Sequence, residues 1–500
     1  MTLSSAFGII NSSFNAFGVE SSTIASNVAN ANTQGYSTEV ANVGTTASNG
    51  VAVYSITREA DAALAAQLNS ATSDAAMQSA ISNGLAALAQ SVDDSSASTS
   101  SGALQNGDSP YAMLANFSAA MTTFEADPSN LSVAQAAVSA AQSAAQSLNA
   151  GAQAVTQVRT EADQQIAQDV SNVNSLLTQF QTVNNSIVGG LAAGSNVGSL
   201  QDQRDSLVSQ ISQDIGVTTS INSNGSMSLF TDSGVTLFQT TPYQLSFDAS
   251  GALGPNQTGN QVMVNGQPIT GASANTPIQS GAIAGLVQLR DSIAPQYQSQ
   301  LDQIAGNLIS AFQETDQSAT DTGLPAQPGL FTAPGLASVP SSANYTGLAN
   351  TITINASVDP TQGGNAFLLR DGGISDTSNS DYTYNATGDP GYTGRLQQLI
   401  AALQTPMPFS AAAGLGDSAS ISDYADASVS WLQAANQQAS GDAAYQSSLQ
   451  TQAASALSNA TGVNLDAQLT NMLTIESSYT ASAKLLTTVS GMLSTLVNAV

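Results

Sequence analysis

The 500-residue chain has seven basic and thirty-four acidic side chains, a formal net charge of −27, and neither Cys nor His. This excludes Cys/His zinc sites, haem ligation, thiol nucleophiles and a Ser-His-Asp triad. It also opposes nucleic acid and anionic lipid, which are bound through clustered Lys and Arg. Charged residues make up 8% and aromatics 5%, against 42% apolar, much of it Ala. Such a composition favours helices that pack closely along their length, with few surface ion pairs.

The first 22 residues have no basic stretch and no uninterrupted apolar run, so no cleaved secretory signal is expected. No window approaches 18 apolar residues, so no membrane-spanning helix is expected either. Missing Cys fits a protein that unfolds for export or works outside the cell. Leu3, Phe7, Ile10, Phe14, Phe17, Ser21, Ile24, Val28 and Ala31 alternate spacings of 4 and 3, a heptad seam with one polar member. It predicts a helix of about 43 Å at ~1.5 Å per residue, stopped by Asn30, Asn32 and Gly35. Asp93-Asp94 reads as a helix-end or loop pair.

A second seam runs through Ile166, Val170, Val173, Leu177, Phe180, Asn184, Ile187 and Leu191, with Asn184 able to fix register. Gly189-Gly190 and residues 194–198 break it before a helix on Leu200, Leu207, Val208, Ile211 and Ile215, giving an extended antiparallel hairpin. Arg204, between Asp202 and Asp205, is either a tie between helices or subunits or a solvated surface charge. Asn224-Gly225 and Asn265-Gly266 lie between β-branched or apolar stretches and mark hairpins, so residues 216–280 read as β. Helices are predicted over 282–293 and 296–314, the latter with Leu301, Ile304, Leu308 and Phe312 on one face.

Residues 320–392, rich in Gly, Pro, Asn and Asp, read as an exposed, irregular insert with one strand at Thr351–Ile354. Asp371, Asp376, Asn379 and Asp381 within it form either a calcium cradle of unusual spacing or a solvated acidic loop. Helices return over 394–404 and 419–459, with Trp431 as a core anchor. Near the C-terminus Leu465, Met472, Tyr479, Leu486, Leu493 and Val500 recur every seven residues, widened by Leu469, Ile475, Val489, Met492, Leu496 and Val497. Asn464 is the expected N-cap, after Thr461-Gly462. Two apolar helices at opposite ends are either ordinary core helices or partners that pack on each other and on neighbouring subunits.

Asn27-Val28-Ala29-Asn30-Ala31-Asn32-Thr33-Gln34-Gly35-Tyr36 resembles the N-terminal signature of the bacterial flagellar axial proteins, the rod, hook and hook-associated proteins. Val463-Asn464-Leu465-Asp466 and Ser478–Lys484 are similar to the closing helix of that family. Ala467 and Gln468 replace acidic residues common there, and Ser482 replaces Asn. Leu200-Gln201-Asp202-Gln203-Arg204-Asp205-Ser206-Leu207-Val208, Leu289-Arg290-Asp291, Pro295-Gln296-Tyr297 and Leu301-Asp302-Gln303-Ile304-Ala305 resemble its hook-associated branch.

The resemblance and the pattern together predict a mainly α fold with β inserts, elongated and multidomain. Residues 1–35 with 465–500 would form a coiled-coil stalk, 36–215 with 394–464 a long-helix domain, and 216–393 an outer domain. The resemblance implies an extracellular structural subunit joining hook to filament, not an enzyme, with no metal and no cofactor. Its assembly interface would comprise Leu3, Phe7, Ile10, Phe14, Phe17, Ile24 and Val28 facing Leu465, Leu469, Met472, Tyr479, Leu486, Leu493 and Val497, with Asn30, Asn32, Thr33, Gly35 and Tyr36 as the signature turn. Implied partners are further copies in a ring, hook subunits and the next hook-associated protein. A cytoplasmic export chaperone would cover Leu486, Leu493 and Val497, and export would be unfolded and uncleaved through the flagellar type III apparatus. Another axial subunit of hook or distal rod shares the same ends. A secreted coiled-coil adhesin with a β head, or an enzyme acting through Asp371 and Asp376, are the readings of a different class.

Overall fold

The computed structural model describes residues 3–47, 49–92, 108–318 and 323–499, so Asp93-Asp94 and Val500 lie outside the described residues. Helix α1 (Leu3–Asn30) is followed by an antiparallel hairpin, β1 (Glu39–Thr45) and β2 (Val51–Arg58). Residues 39–58, which the sequence places in the long-helix segment, form two strands instead. Asn49-Gly50 carries the same hairpin signal as the two pairs read from the sequence, and Asn49 takes a left-handed φ of 61°. Next come α2 (Ala62–Gln90), α3 (Pro110–Ala126), α4 (Leu131–Ala192) and α5 (Gly198–Asp214). Side-chain caps start the first three: Asp61 accepts from Ala63 N and Leu64 N, Ser109 precedes Pro110 and accepts from Ala112 N, and Asn130 accepts from Ser132 N. At 62 residues, α4 spans about 93 Å at ~1.5 Å per residue.

The β region is sparse. One sheet holds β3 (Val217–Ile221), β4 (Met227–Thr231) and β5 (Thr236–Phe238), and a second holds β6 (Leu245–Ser246), β7 (Met263–Val264) and β8 (Gln267–Pro268). Asn184, the polar member of the second seam, is buried and its Oδ1 accepts from Met227 N at 2.8 Å. It thus fixes the sheet on α4 rather than one helix against another. Leu191, the last member of that seam, is exposed.

Helices α6 (Ala282–Gln288) and α7 (Ala294–Ala311) are joined without a break by a π-turn at Leu289–Ile293. The cause is Pro295. Ala294 N donates five residues back to the Leu289 carbonyl, and the carbonyl of Arg290 would next need the N–H that Pro295 lacks. Arg159 Nε of α4 donates to it instead at 2.8 Å. Grouped by sequence with an outer segment, α7 in fact runs through the centre of the body: Leu301, Ile304, Ala305 and Leu308 are fully buried against α4 and the helices Leu348–Thr351 and Ile421–Thr461.

The insert differs from the sequence expectation. It contains β9 (Phe331–Thr332), α8 (Leu348–Thr351), β10 (Thr353–Ile354) and α9 (Leu368–Asp371), and it is packed rather than exposed: Leu330, Phe331, Ala349, Val358 and Leu369 are buried. Phe331 meets Phe117 of α3 and Phe312 edge-to-face, with ring centroids 5.6 and 5.2 Å apart. These apolar residues follow no period among Gly and Pro, so their burial leaves no pattern in the sequence. The chain closes with α10 (Gly394–Gln404), β11 (Met407–Pro408), β12 (Ser418–Ala419), α11 (Ile421–Thr461) and α12 (Leu465–Asn498). Trp431 is only partly buried, its ring stacked 6.5 Å from Tyr297; the fully buried neighbour is Leu432. One continuous apolar core runs from Ile81 to Ala439, and α1 and α12 lie outside it.

Two buried carboxylates make the body's stability depend on pH. Asp302 of α7 accepts from Gly347 N and Ala349 N at 2.8 and 2.9 Å, which seats the insert. Burial nonetheless pushes its pKa up to about 6, against these N–H groups and Gln298. Burial does the same to Asp214, also to about 6; Asn172 opposes the shift and the charge of Asp169 adds to it. In the unfolded chain both titrate near the ordinary ~3.9. Between those values the native state holds protons the unfolded state does not, so stability rises as pH falls through 6 and levels off below about 4. The melting temperature should therefore be higher at pH 5 than at pH 7.5, with a smaller gain in Asp214→Asn; an equal gain in that variant would contradict the assignment.

Candidate assembly interface

Asn27 is the centre of the stalk's attachment. Its side chain is buried and uses its full hydrogen-bonding capacity. Nδ2 donates to the Glu39 carbonyl at 2.8 Å and to Gln468 Oε1 at 3.2 Å; Oδ1 accepts from Tyr36 Oη at 2.8 Å and from Glu39 N at 2.9 Å. One amide thereby holds α1, β1, the signature turn and α12 together. Gln468, which replaces an acidic residue common in the resembled family, is the buried residue of α12 that completes the set. A carboxylate there would also accept from Asn27, but would bring a buried charge.

The turn follows the same economy. Thr33 N donates to the Asn30 carbonyl at 2.8 Å, Asn30 Nδ2 returns to the Ser26 carbonyl at 3.0 Å, and Gly35 takes φ +81° with no side chain to strain it. This brings Tyr36 back beside Asn27, while Asn32 is exposed. Asn27 lies within the signature but outside the five residues expected to make the turn.

The helices themselves pair. Phe14 and Tyr479 meet edge-to-face with centroids 4.8 Å apart, and Ser21 Oγ lies 3.7 Å from Met472 Sδ. Ile10 and Ile24 are buried; Leu3, Phe14, Phe17, Met472 and Leu486 are partly buried. The remaining seam residues face solvent: Phe7 is 51% exposed, Leu493 48% and Val497 68%, with Val28, Leu465, Leu469 and Tyr479 also exposed. Asn464 caps α12 by accepting from Ala467 N.

The hairpin joins stalk to body. Arg58 at the end of β2 reaches Asp202 at 2.7 Å and Asp205 at 2.5 Å on α5, and Ser37 N also donates to Asp202. The acidic pair of the Asp202-Gln203-Arg204-Asp205 run is thus a clamp for Arg58, which the sequence reading did not single out. Arg204 between them is buried, and its Nη1 donates to the Gly225 carbonyl at the β3–β4 turn at 2.9 Å. It is not a solvated charge.

The acidic loop does not converge as a calcium cradle. Asp371 pairs with Arg370 at 2.7 Å and accepts from Asn385, while Asp376 and Asn379 accept from the turn residues Ser378 and Asp381. Among the described residues no group of three His, Cys, Asp or Glu side chains is placed to hold a metal ion. Among them, too, no helix is long and apolar enough to cross a membrane.

Truncation of Asn27 to Ala should release the C-terminal helix. It strands the Glu39 and Tyr36 donors and the Gln468 amide, a cost of about 2–3 kcal/mol. Limited proteolysis or amide exchange over α12 reads it, and unchanged protection would refute the hub.

Two domain families match this chain: the one described as Flagellar hook-associated protein FlgK helical domain over residues 103–330, and Flagellar basal body rod FlgEFG protein C-terminal over residues 454–499. Paired terminal helices with this turn and closing segment are the arrangement that the resemblance to flagellar axial proteins implies. Residues 103–330 are thus similar to the helical domain named for the flagellar hook-associated protein FlgK. Flagellar hook-associated protein 1 of Escherichia coli K12 is 24% identical over 346 residues, 66% of this chain and 60% of that protein. Its Salmonella typhimurium counterpart is 24% identical over 327 residues, 62% of this chain and 56% of that one. The chain thus spans under two thirds of the curated relatives it matches. A solved structure, the flagellar hook junction protein FlgK from Burkholderia pseudomallei, is 25% identical with a TM-score of 0.42, over 54% of this chain and 46% of that one.

Proposed function

We propose that this chain is a structural, non-catalytic subunit of the bacterial flagellum that joins hook to filament by assembling with further copies into a junction ring. The observation that carries the reading is α12: it pairs with α1 along one side and is apolar yet unburied along the other. A helix of that kind gains its remaining stability from neighbours. The terminal pair, 1–35 with 465–500, is read as the inner assembly unit. The regions 36–215, 394–464 and 216–393 form the outer body on one shared core. Hook subunits would meet one face of the ring and the next hook-associated protein the other. Before export, a cytoplasmic chaperone would cover Leu486, Leu493 and Val497, and the chain would leave through the type III apparatus without cleavage of a signal.

A second reading, another axial subunit of hook or rod, draws support from the match of residues 454–499 to a family named for rod proteins. Gold-labelled antibody on intact flagella separates them. Label at a single band between hook and filament is expected; label along the hook or rod favours the second reading. Label away from the flagellum, with cell binding retained in cells lacking flagella, would sink both and point to an adhesin.

A further inference from the structure

An open groove of about 740 Å³ crosses the body between α2, α4, α5, α6 and α11. Its walls are largely small and apolar, with Ala76, Ala80 and Ala87 of α2, Ala162 of α4, and Ala282 and Leu286 of α6. The charged side chains that line it are Glu161 and Asp169 of α4 and Asp214 of α5, three acids and no base. Asp169 and Asp214 are only 7% and 8% exposed. Gln165 Nε2 donates to Asp169 Oδ1 at 2.7 Å, and Asn172 Nδ2 donates to Asp214 Oδ2 at 2.5 Å. The other oxygen of Asp169, Oδ2, is buried with no hydrogen-bond partner. Leaving a buried carboxylate oxygen unpaired is costly, so Asp169 calls for a donor. The charge of Asp169 also acts on Asp214, so a cation is favoured over a neutral donor. The fold supplies none. Five of the six arginines are buried and Arg58 is held in its clamp, each with partners of its own. The one lysine, Lys484, is exposed on α12, which contributes nothing to the groove. The missing counter-charge therefore comes from outside the chain.

The spacing of the acids restricts its shape. Glu161, Gln165 and Asp169 recur every fourth residue, so they share one face of α4. Their two carboxylates are about 12 Å apart along the helix at ~1.5 Å per residue. Among the described residues no three acids converge as metal ligands, so a compact metal ion would meet only part of this row. A linear polyamine meets all of it. One terminal ammonium fits between Asp169 and Asp214, the methylenes lie along the alanine walls, and the far ammonium reaches the exposed Glu161. A triamine of the spermidine type has its terminal nitrogens about that far apart. We propose that this groove binds a linear polyamine, anchored by Asp169 and Asp214 and held at its other end by Glu161. The site is independent of the assembly reading, because no residue of α1 or α12 lines it.

The test is equilibrium dialysis of labelled spermidine and putrescine against the 500-residue chain at pH 7.5, with MgCl2 as competitor. Spermidine should bind one per chain, on the order of tenfold more tightly than putrescine, which is too short to reach Glu161. Asp169→Asn should weaken spermidine on the order of tenfold. Glu161→Gln, at an exposed position, should bring spermidine down to the affinity of putrescine and leave putrescine unchanged. Asp248→Asn and Asp426→Asn each remove an exposed acid outside the groove and should change neither. If Asp169→Asn proves unfolded by its melting curve, Glu161→Gln carries the test alone. Several weak spermidines per chain, or equal losses in groove and control variants, would mean diffuse attraction to an acidic protein and overturn the site. Magnesium displacing spermidine one for one, with no loss in Glu161→Gln, would make it a metal site and overturn the polyamine. No retention of spermidine would overturn the proposal outright and leave the assembly reading untouched.

Discussion

Replacing Asp163 with Ala is expected to destabilise the body by about 3–5 kcal/mol, read as a lowered midpoint of chemical denaturation. Asp163 is fully buried on α4, where it accepts from Arg290 Nη1 and from Ser250 N, each at 2.5 Å. Arg290 sits on the π-turn and also engages Asp291 at 2.7 Å and the Asn260 carbonyl at 2.9 Å. Arg159 completes the cluster through the carbonyls of Arg290, Gly254 and Gln257, and burial lowers its pKa despite both carboxylates. Two cations face two anions, so the site is balanced as it stands. Without Asp163 an uncompensated positive charge remains among buried groups. No residue can grow in to relieve it: even a Cβ at Gly259 would lie 2.0 Å from the guanidinium carbon of Arg290. The double variant Asp163→Ala with Arg290→Met restores balance between Arg159 and Asp291, so it should cost less than the sum of the singles. Strict additivity, or a single-variant cost below about 1 kcal/mol, would show that the pair is not acting as a buried ion pair.

The pair Leu486→Asp and Leu493→Asp is expected to abolish self-assembly and leave the melting transition of the body unchanged. Outside the continuous core, α12 contributes Gln468 as its buried residue, so charges at 486 and 493 disturb no packing of α3, α4, α7 or α11. Each leucine that a neighbouring copy covers is worth about 1.5–3 kcal/mol, and a buried unpaired carboxylate in its place reverses that sign. The loss recurs at every joint of an assembly. Normal assembly of the double variant would place the joint elsewhere. A lowered melting transition would mean that α12 belongs to the core.

The residues that were legible in the sequence are those whose signal is local. The α1 and α12 seams showed in their heptad spacing, the Asn464 cap in its position after Thr461-Gly462, and the turns at Asn224-Gly225 and Asn265-Gly266 in their dipeptides, with left-handed φ at Gly225, Asn265 and Gly266. The hairpin at 39–58 carried the same dipeptide, Asn49-Gly50, between β-branched residues such as Val40, Val43, Val51, Val53 and Ile56, so its signal was equally local although the long helices on its C-terminal side masked it. The insert was misplaced for the opposite reason. Composition reported its Gly and Pro, whereas Phe331, Leu369 and the anchors from Asp302 and Glu314 hold it in the core.

Periodicity, capping and composition act within a few turns, so the sequence alone made legible a helical chain with apolar ends, few ionic ties and a resemblance to axial proteins. Only the tertiary structure decided where its few cations went. Arg58 meets Asp202 across 144 positions and Arg290 meets Asp163 across 127. The physical reason is that burying a guanidinium requires a preformed set of carboxylates and carbonyls around it, which distant segments supply only when the fold brings them together. The scarcity of basic residues that first excluded nucleic acid and lipid thus has a second consequence. With every arginine inside, the charge that the described residues of the body show to solvent is acidic, while α1 and α12 carry little charge of either sign.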